Sequence, residues 1–545
     1  MKHIKLIILI ILQCAFTIIA HCQTTLPRDV ADAFGNLLVY HNNRICPMQT
    51  LARDYAIKLT GKPTYNDLSA EQVLTGFIFY YDEWAAQPIF KIKGKEVRNT
   101  LGIDGKYACM NDFISTHGYK LTGTQGKNYS SADEKYNLAL MNATGSLLRI
   151  FPYQTQDTKH ETQDTLSNCP PELGGRAKRR GSVNHSSLLT PHSPLINWFS
   201  PADNLPSNMP EAQSLFIHKS MSLIANYIAH NQYTEAIDLL HKIRLYQEKE
   251  LGSIAPSNAR LKVERVYNHF NYNRLFAILL MTFGIIFFIW HTISPNKFLN
   301  QIEWLILSLT TLYLTIAITL RGIIAGHFPL ANGFETMQFL ALIATLIPFI
   351  SLLKLKKQLK TKETNNSQFN NSSFLIPHSS LISGIALMVA TMSELNPRIT
   401  QLMPVLQSPL LSIHVMVIMI SYALFALIAL NSITELIKMQ KSSNNYELCI
   451  INYKLNIIAL FLLTAGIFIG AIWANMSWGR YWGWDPKEVW ALITMLIYSL
   501  PLHRASLPIF RNPRFMNWYF ILAFLSVIIT YFGVNFLLGG LHSYA

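Results

Sequence analysis

Residues 473–488 read WANMSWGRYWGWDPKE and lie between two long apolar segments. This stretch holds four tryptophans and one tyrosine within sixteen residues. Indole rings favour membrane interfaces, yet a simple aromatic belt needs fewer rings and no glycines between them. Gly479 and Gly483 allow the backbone to approach a flat ligand closely. The stretch therefore predicts an aromatic platform at a membrane surface.

The composition of the chain excludes an ordinary soluble protein. Of its 545 residues, 50% are hydrophobic and 14% are charged, and the mean hydropathy is +0.22. We predict an all-α polytopic membrane protein with about eight transmembrane helices in its carboxyl-terminal half. The predicted spans are 274–290, 301–320, 334–353, 377–393, 410–436, 456–474, 489–503 and 517–537, of which the fourth is short.

The rest of the chain divides into two regions. In residues 1–22, Lys2 and Lys5 precede an apolar run, which is the pattern of a secretory signal or an uncleaved anchor. Residues 23–270 are polar and contain no apolar run near the roughly 20 residues of a membrane span. We expect them to form an extracytoplasmic domain of mixed or mainly helical structure, followed by the transmembrane domain, 271–545.

The basic residues predict the orientation in a bacterial cytoplasmic membrane. One face receives twelve of them and the other receives four, and the positive-inside rule assigns the richer face to the cytoplasm. The tryptophan-rich stretch then lies outside, as the predicted signal also places the amino-terminal domain. Part of the net charge of +14 is explained by the basic residues of the cytoplasmic loops. Nothing in the sequence indicates that the protein binds nucleic acid. The cytoplasmic group is Lys297, Lys354, Lys356, Lys357, Lys360, Lys362, Lys438, Lys441, Lys454, Arg504, Arg511 and Arg514; the outer group is Arg321, Arg398, Arg480 and Lys487.

Two low-complexity regions contain a repeated sequence. Residues 187–196 and 373–382 agree at seven of ten positions, and both lie in Asn/Ser-rich surroundings. Such segments are typical of insertions into tolerant loops, and we place one insertion near 160–200. We therefore do not expect His185, His192 or His378 to be ligands.

The aromatic stretch, continued by Val489, Trp490 and Tyr498, resembles the tryptophan-rich signature of the CcsA/ResC family of cytochrome c biogenesis proteins. The resemblance covers roughly residues 274–545. It implies that haem b is bound as a substrate, exported, and attached through thioether bonds to an apocytochrome c. Residues 43–53 also loosely resemble a segment of fused cytochrome c synthases.

Two histidines on the outer side match the axial haem ligands of the family. His414 begins the fifth span, and His542 follows the last span in GLHSY. Haem iron accepts axial imidazole, so the two histidines would hold a haem from both faces. A structural alternative is that each histidine caps backbone carbonyls at a helix end or contacts lipid headgroups. The tryptophans expected to pack against the porphyrin are Trp473, Trp478, Trp482 and Trp484.

Two further histidines have other expected roles. His503 matches the inner histidine of the family, thought to meet haem as it enters from the cytoplasm, although a polar group at a span end often only reaches the interface. The family pairs this ligand with a histidine of a CcsB/ResB component, which we do not find here, so a separate partner is implied. His327 lies in a GHxPLxNxxE motif, where a structural turn and haem contact are both open. Glu335 of that motif is expected to cap a helix or pair with a cation.

The charged residues of the aromatic stretch have competing interpretations. Asp485 before Pro486 is a typical helix N-cap, and Glu488 in the first turn complements the helix dipole. The alternative for both is contact with the haem or the apoprotein. Arg480 and Lys487 are the candidates for the two haem propionates, because each places a cation beside the aromatic rings.

The six cysteines include no CxxC or CxxCH motif, which excludes a c-type cytochrome and a dithiol reductase. Cys46 and Cys109 are candidates for a disulfide in an oxidising compartment. There is also no phosphate-binding glycine loop, so export would not be driven by ATP hydrolysis on this chain.

The resemblance to the CcsA/ResC family implies the catalytic part of a cytochrome c synthase. We expect no residue of this chain to act as a nucleophile. The implied partners are a CcsB/ResB-like membrane protein, apocytochrome c, thiol-reducing proteins and membrane lipid. Three alternatives stay open: a haem chaperone or exporter subunit without attachment activity, a quinone-linked electron-transfer subunit, and a pure transporter.

Overall fold

The computed structural model describes residues 25–116, 118–154, 196–270, 272–293, 297–360, 375–392, 395, 397–402, 404–441 and 447–538. The predicted signal or anchor, most of the predicted insertion and His542 lie outside these residues. The chain divides into two compact units, Met1–Asn268 and His269–Ala545.

Unit 1 packs helices and four two-stranded antiparallel sheets around an aromatic core. Trp84 is fully buried there. A Cβ on Gly76 would lie 2.1 Å from its indole, so only glycine permits this packing. The helices are α1 (Arg28–Gly35), α2 (Met48–Thr60), α3 (Ala70–Phe79), α4 (Tyr81–Ala85), α5 (Lys95–Leu101), α6 (Lys127–Ala143), α7 (Glu211–Ala229), α8 (Tyr233–Leu251) and α9 (Asn258–His269), and the strands are β1 (Leu38–His41), β2 (Arg44–Pro47), β3 (Phe90–Lys91), β4 (Tyr107–Ala108), β5 (Ile114–Ser115), β6 (Gly118–Tyr119), β7 (Phe151–Gln154) and β8 (Ile196–Phe199).

The last sheet of unit 1 corrects the limits of the predicted insertion. β7 pairs with β8 in antiparallel register, with Phe151 opposite Phe199 and Gln154 opposite Ile196. Residues 196–199 were expected to belong to the insertion, but they belong to the folded unit because their backbone groups are paired with β7.

The sequence left a disulfide between Cys46 and Cys109 open, and the structure does not form it, since both cysteines are free. Cys46 lies on β2 and is fully buried, with its Sγ 3.8 Å from the carbonyl oxygen of Val39. Burial raises the pKa of the Cys46 thiol. A buried thiol in an apolar surrounding behaves as a small hydrophobic side chain.

A buried ion pair joins residues far apart in unit 1. Arg44 Nη1 and Nη2 donate to the two carboxylate oxygens of Glu264 at 2.9 and 2.6 Å. Thr50 Oγ1 donates to the same carboxylate at 2.6 Å. This two-pronged geometry is the strongest form of a side-chain ion pair.

Unit 2 has a helix at each of the eight predicted spans, which confirms the all-α polytopic membrane fold. Six of these helices are long and apolar enough to cross a membrane. The fourth and seventh have 16 and 14 residues, fewer than the roughly 20 that a perpendicular span needs. The helices are α10 (Asn273–Ile293), α11 (Lys297–Ala325), α12 (Gly333–Lys360), α13 (Leu375–Ala390), α14 (Pro409–Lys441), α15 (Glu447–Trp478), α16 (Pro486–Ser499) and α17 (Pro513–Ile528), and a π-helical turn, Ile529–Leu538, continues α17.

The fourth helix corrects the interpretation of the repeated sequence. Residues 375–382 lie in α13, where His378 is buried and its Nε2 lies 2.8 Å from Thr434 Oγ1. A Cβ on Gly384 would lie 2.8 Å from the backbone nitrogen of Met281, so α10 and α13 pack closely through a small residue, as membrane helices do. This copy of the repeat is a packed helix and not an inserted loop.

Candidate functional site

A cavity of about 300 Å³ lies in unit 2. Residues from the start of α12, from α14, from the end of α15 and from the start of α16 line it, together with the turn that continues α17. Its lining is mainly apolar with a few polar groups, as is usual for small-molecule sites. The predicted site residues in this lining are His414, Trp473, Trp482 and Lys487, together with Glu488.

His414 is held in one orientation by the neighbouring helix. Its Nδ1 lies 2.7 Å from the carbonyl oxygen of Gly466 on α15. A carbonyl can only accept, so Nδ1 carries the proton, and the lone pair of a neutral imidazole then lies on Nε2. Histidines that bind metals commonly donate their other ring nitrogen in this way. A Cβ on Gly470 would lie 2.6 Å from His414 Cε1, so the ring occupies space that only glycine leaves.

Trp473 and Trp478 form an aromatic pair at the end of α15. Their rings meet edge to face, with centroids 4.9 Å apart. The side chain of Trp473 lines the cavity and is 3% exposed. Its Nε1 has no hydrogen-bond acceptor among the described residues. A buried N–H without an acceptor is costly, so a ligand that supplied one would bind more tightly.

The loop after α15 turns through two left-handed residues. Gly479 has φ 72° and its N–H donates to Asn475 O at 2.9 Å, which ends the helix. Trp484 has φ 55°, a strained value for a bulky residue, and is 74% exposed. The Trp484 ring meets Trp482 edge to face with centroids 6.0 Å apart. The loop therefore holds Trp482 at the cavity and presents Trp484 outward.

Asp485 and Glu488 form a capping box at the start of α16. The Asp485 carboxylate accepts from the Lys487 N–H at 3.2 Å. Glu488 Oε2 accepts from the N–H groups of Gly483 at 2.7 Å and Asp485 at 3.3 Å. The predicted N-cap role of Asp485 is confirmed. Because Glu488 also lines the cavity, its carboxylate joins the loop to the site.

The two cations predicted for haem propionates lie in different surroundings. Lys487 lines the cavity and precedes the predicted span 489–503. Burial lowers the pKa of its ammonium group, and Asp485 opposes this shift. Arg480 is exposed, its guanidinium lies against Gly483, and it does not belong to the described lining of the cavity.

Two predicted site histidines, His327 and His503, lie outside the lining of this cavity. His327 lies in the turn after α11, with Nδ1 3.0 Å from the carbonyl oxygen of Phe328, which is itself a lining residue. His327 Nε2 is buried without a partner among the described residues. His503 is exposed in the turn Leu500–His503 at the carboxyl end of α16, whereas Lys487 lies at the amino end.

Known proteins resemble this chain over the same region. The Cytochrome C assembly protein family matches residues 330–542. The cytochrome c biogenesis protein CcsA of Trachelium caeruleum is 31% identical over 278 residues, which cover 43% of this chain and 83% of that protein. This chain belongs to the CcsA family. It is therefore a multi-pass membrane protein of cytochrome c biogenesis, as the aromatic signature indicated.

Two more relatives define how far the similarity extends. CcsA of Chlamydomonas reinhardtii is 34% identical and shares 44% of this chain and 67% of its own length. Protein NrfI of Wolinella succinogenes is 30% identical over 95% of this CcsA-family chain, so the match includes unit 1. The chain spans 55% of the length of NrfI.

A buried ion pair lies beside the cavity of this CcsA-family protein and was not predicted from the sequence. Arg321 was counted among the outer loop residues, but it lies inside α11 and is 0% exposed. Its Nε donates to Glu335 Oε1 at 2.6 Å. Glu335 was expected to cap a helix or pair with a cation, and it pairs with Arg321. Its Oε2 also accepts from the Ala331 N–H of the preceding turn at 2.7 Å. A single arginine in an otherwise apolar span was the available signal.

Proposed function

We propose that this CcsA-family protein binds haem b in the described cavity and presents it, at the extracytoplasmic face, for attachment to the CxxCH motif of apocytochrome c. The observation that carries the proposal is the meeting of His414, Trp473, Trp482 and Lys487 in one mainly apolar cavity. An imidazole, indole rings and a cation are the groups that haem iron, porphyrin and propionate require.

The polar groups of the cavity support this assignment. His414 directs its lone pair through Nε2, since Nδ1 donates to Gly466, which suits an axial iron ligand. Lys487 and the Trp473 N–H offer a cation and a donor for carboxylates. His542 is proposed as the opposite axial ligand; it lies outside the described residues. Arg480, Trp478 and Trp484 are proposed for the surface that meets the outer edge of haem and the apoprotein.

The chain's contribution to attachment is positional. The apocytochrome brings two thiols, and each S–H adds across one haem vinyl group, so that a C–S and a C–H bond form without net oxidation. Its histidine replaces one axial ligand. The apolar wall excludes water and so favours reduced iron. No residue of this chain acts as a nucleophile.

The route and the partners extend the proposal across the membrane. Haem enters from the cytoplasmic side near His503, where a CcsB/ResB-like protein supplies a second ligand. Thiol-reducing proteins keep the CxxCH motif reduced outside. The orientation rests on the basic residues of the cytoplasmic loops, and unit 1 is proposed to lie outside in the bacterial cytoplasmic membrane.

The test is co-expression with a CcsB-like protein and a reporter apocytochrome, scored by covalent haem and by the Soret band of the purified chain. His414→Ala and His542→Ala should each abolish most of the attachment. His414→Gly should recover attachment when imidazole is added, because the free ligand refills the axial position. His230→Ala, an exposed histidine of unit 1, is the matched control.

A second pair of variants displaces His414 without deleting it. A Cβ on Gly470 would meet the His414 ring at 2.6 Å, whereas one on Gly466 would meet the end of Ile418 at 2.5 Å. Gly470→Ala should therefore lower haem content more than Gly466→Ala. Undiminished attachment in both histidine variants would remove the ligand assignment. Haem that purifies with the chain but never becomes attached would instead favour the chaperone alternative.

A further inference from the structure

One wall of the cavity contains backbone carbonyls that need hydrogen-bond donors from elsewhere in the protein. Leu395, Leu402 and Leu406 line the cavity. Residues 397–402 have no regular secondary structure, so their carbonyls have no helical partners. In a wall that keeps water out of the cavity, such backbone is stabilised where protein groups donate to its carbonyls.

Arg321 supplies two of these donors. Its Nη1 donates to Pro397 O at 2.8 Å and its Nη2 to Arg398 O at 3.2 Å. The guanidinium carbon lies 5.0 Å from the centroid of the Phe334 ring. Because Nε also donates to Glu335, the planar guanidinium group of Arg321 is fixed in one orientation. A side chain of α11 therefore sets the position of the 397–398 backbone.

Glu335 connects the same ion pair to the turn 330–333, which forms the facing wall of the cavity. Its carboxylate accepts from the Ala331 N–H, and its own N–H donates to Asn332 Oδ1 at 3.0 Å. Ala331 and Asn332 line the cavity. A Cβ on Gly333 would lie 2.6 Å from Leu395 Cδ2, so the two walls are in direct contact. Both are fixed by one buried pair.

Stability alone is a weak reason to bury such a pair. Removing two charges from water costs as much as their attraction returns, and apolar residues of similar volume are often equally stabilising. Apolar side chains could not donate to Pro397 and Arg398, however, and could not hold the Ala331 turn. What the ion pair adds is a defined backbone position.

We propose that the Arg321–Glu335 ion pair is a positioning element of the haem site. It holds the turn 330–333 against Leu395 and residues 397–402 in the cavity wall, and so excludes water and small ligands from bound haem. This inference rests on the proposed function, because it names what keeps that site closed. Neither residue touches the reacting atoms.

The experiment compares Glu335→Gln and Arg321→Lys with the unmodified full-length chain in detergent. Glu335→Gln keeps the shape and removes the charge, whereas Arg321→Lys keeps the charge and removes the planar guanidinium group. Amide hydrogen exchange in residues 395–407 should accelerate about tenfold in both variants, because a charge-assisted hydrogen bond is lost. Replacement of the axial haem ligand by added imidazole, followed at the Soret band, should accelerate to a similar extent.

Glu264→Gln is the matched control, since it makes the same substitution in another buried Arg–Glu pair, which lies in unit 1. It should leave both rates unchanged. Unaltered exchange at 395–407 in Glu335→Gln would overturn the inference, and so would faster exchange with an unaltered imidazole rate, because the pair would then serve only the fold. If the unmodified chain binds no haem, the proposed function fails, while amide exchange still decides whether the pair holds the wall.

Discussion

At the scale of single residues, the side chain of Trp473 indicates which chemical group of a ligand the cavity can bind. Its ring is buried against Trp478, and its N–H has no acceptor among the described residues. Lys487 lines the same cavity. A donor and a cation in one apolar cavity suit a carboxylate. We therefore expect the Trp473 N–H to contribute to propionate binding together with Lys487.

Replacing Trp473 with Phe tests this expectation, because it removes the N–H and keeps an aromatic ring. A hydrogen bond to a charged group contributes about 1.5–3 kcal/mol, so haem affinity should fall about tenfold or more. With haem dimethyl ester, whose carboxylates are masked, the difference between Trp473→Phe and the unmodified chain should shrink severalfold. Titration followed at the Soret band measures both ligands.

Trp482→Phe serves as the control, since it alters another tryptophan of the cavity and should affect both ligands alike. An equal loss of affinity for haem and its ester in Trp473→Phe would show that ring packing, and not the N–H, accounts for the effect.

At the scale of secondary structure, the start of α16 is both a helix cap and a wall of the site. Asp485 caps the helix, and Glu488 accepts from two N–H groups of the preceding loop. The capping box therefore sets where Trp482 enters the cavity. The sequence left helix capping and ligand contact open for Asp485, and the structure shows its carboxylate capping the helix.

Asp485→Asn and Asp485→Ala should therefore differ. Asn keeps a capping oxygen, so both stability and haem attachment should stay near those of the unmodified chain. Ala should lower the free energy of unfolding by about 1 kcal/mol and reduce attachment by loosening the loop. Thermal unfolding and the covalent-haem assay measure the two effects.

The matched control is Asn512→Ala, which removes the N-cap of α17. It should cost similar stability and leave attachment intact. If Asp485→Asn abolishes attachment without loss of stability, the carboxylate must contact haem or apoprotein directly.

At the scale of the whole molecule, the distribution of basic residues predicts the orientation in the membrane. Moving Arg321 from the outer loops into α11 leaves Arg398, Arg480 and Lys487 on the outer side and strengthens the positive-inside asymmetry. We therefore expect the exposed Tyr481 to lie outside and Leu507, in the loop between α16 and α17, to lie in the cytoplasm.

Single cysteines at these two positions test the orientation, in a chain whose native cysteines are serines. Tyr481→Cys should react with a membrane-impermeant thiol reagent added to intact spheroplasts, and Leu507→Cys should react only after the membrane is opened. The reverse pattern would place the tryptophan-rich loop in the cytosol and remove the route proposed for haem.

Much of the architecture could be predicted because its signals are local. Apolar runs predicted a helix at all eight spans, and the DPKE sequence predicted the cap at Asp485, since a helix start depends on the few residues around it. The aromatic signature in the 473–488 stretch likewise identified the family. Local signals conflicted for the 375–382 segment: its apolar residues predicted the start of the fourth span, whereas the Ser-containing repeat is typical of an inserted loop. Most of its side chains are buried between helices.

The family and the membrane helices could be predicted from the sequence alone, as could the group of residues that we propose to hold a haem. Only the tertiary structure decided which of these meet: His414 and Trp473 share a cavity, His503 lies at the opposite end of α16, and Arg321 is buried against Glu335. The physical reason is that a membrane helix is apolar both toward lipid and toward its neighbours. Periodicity in its sequence therefore cannot assign its faces, and packing alone places each side chain.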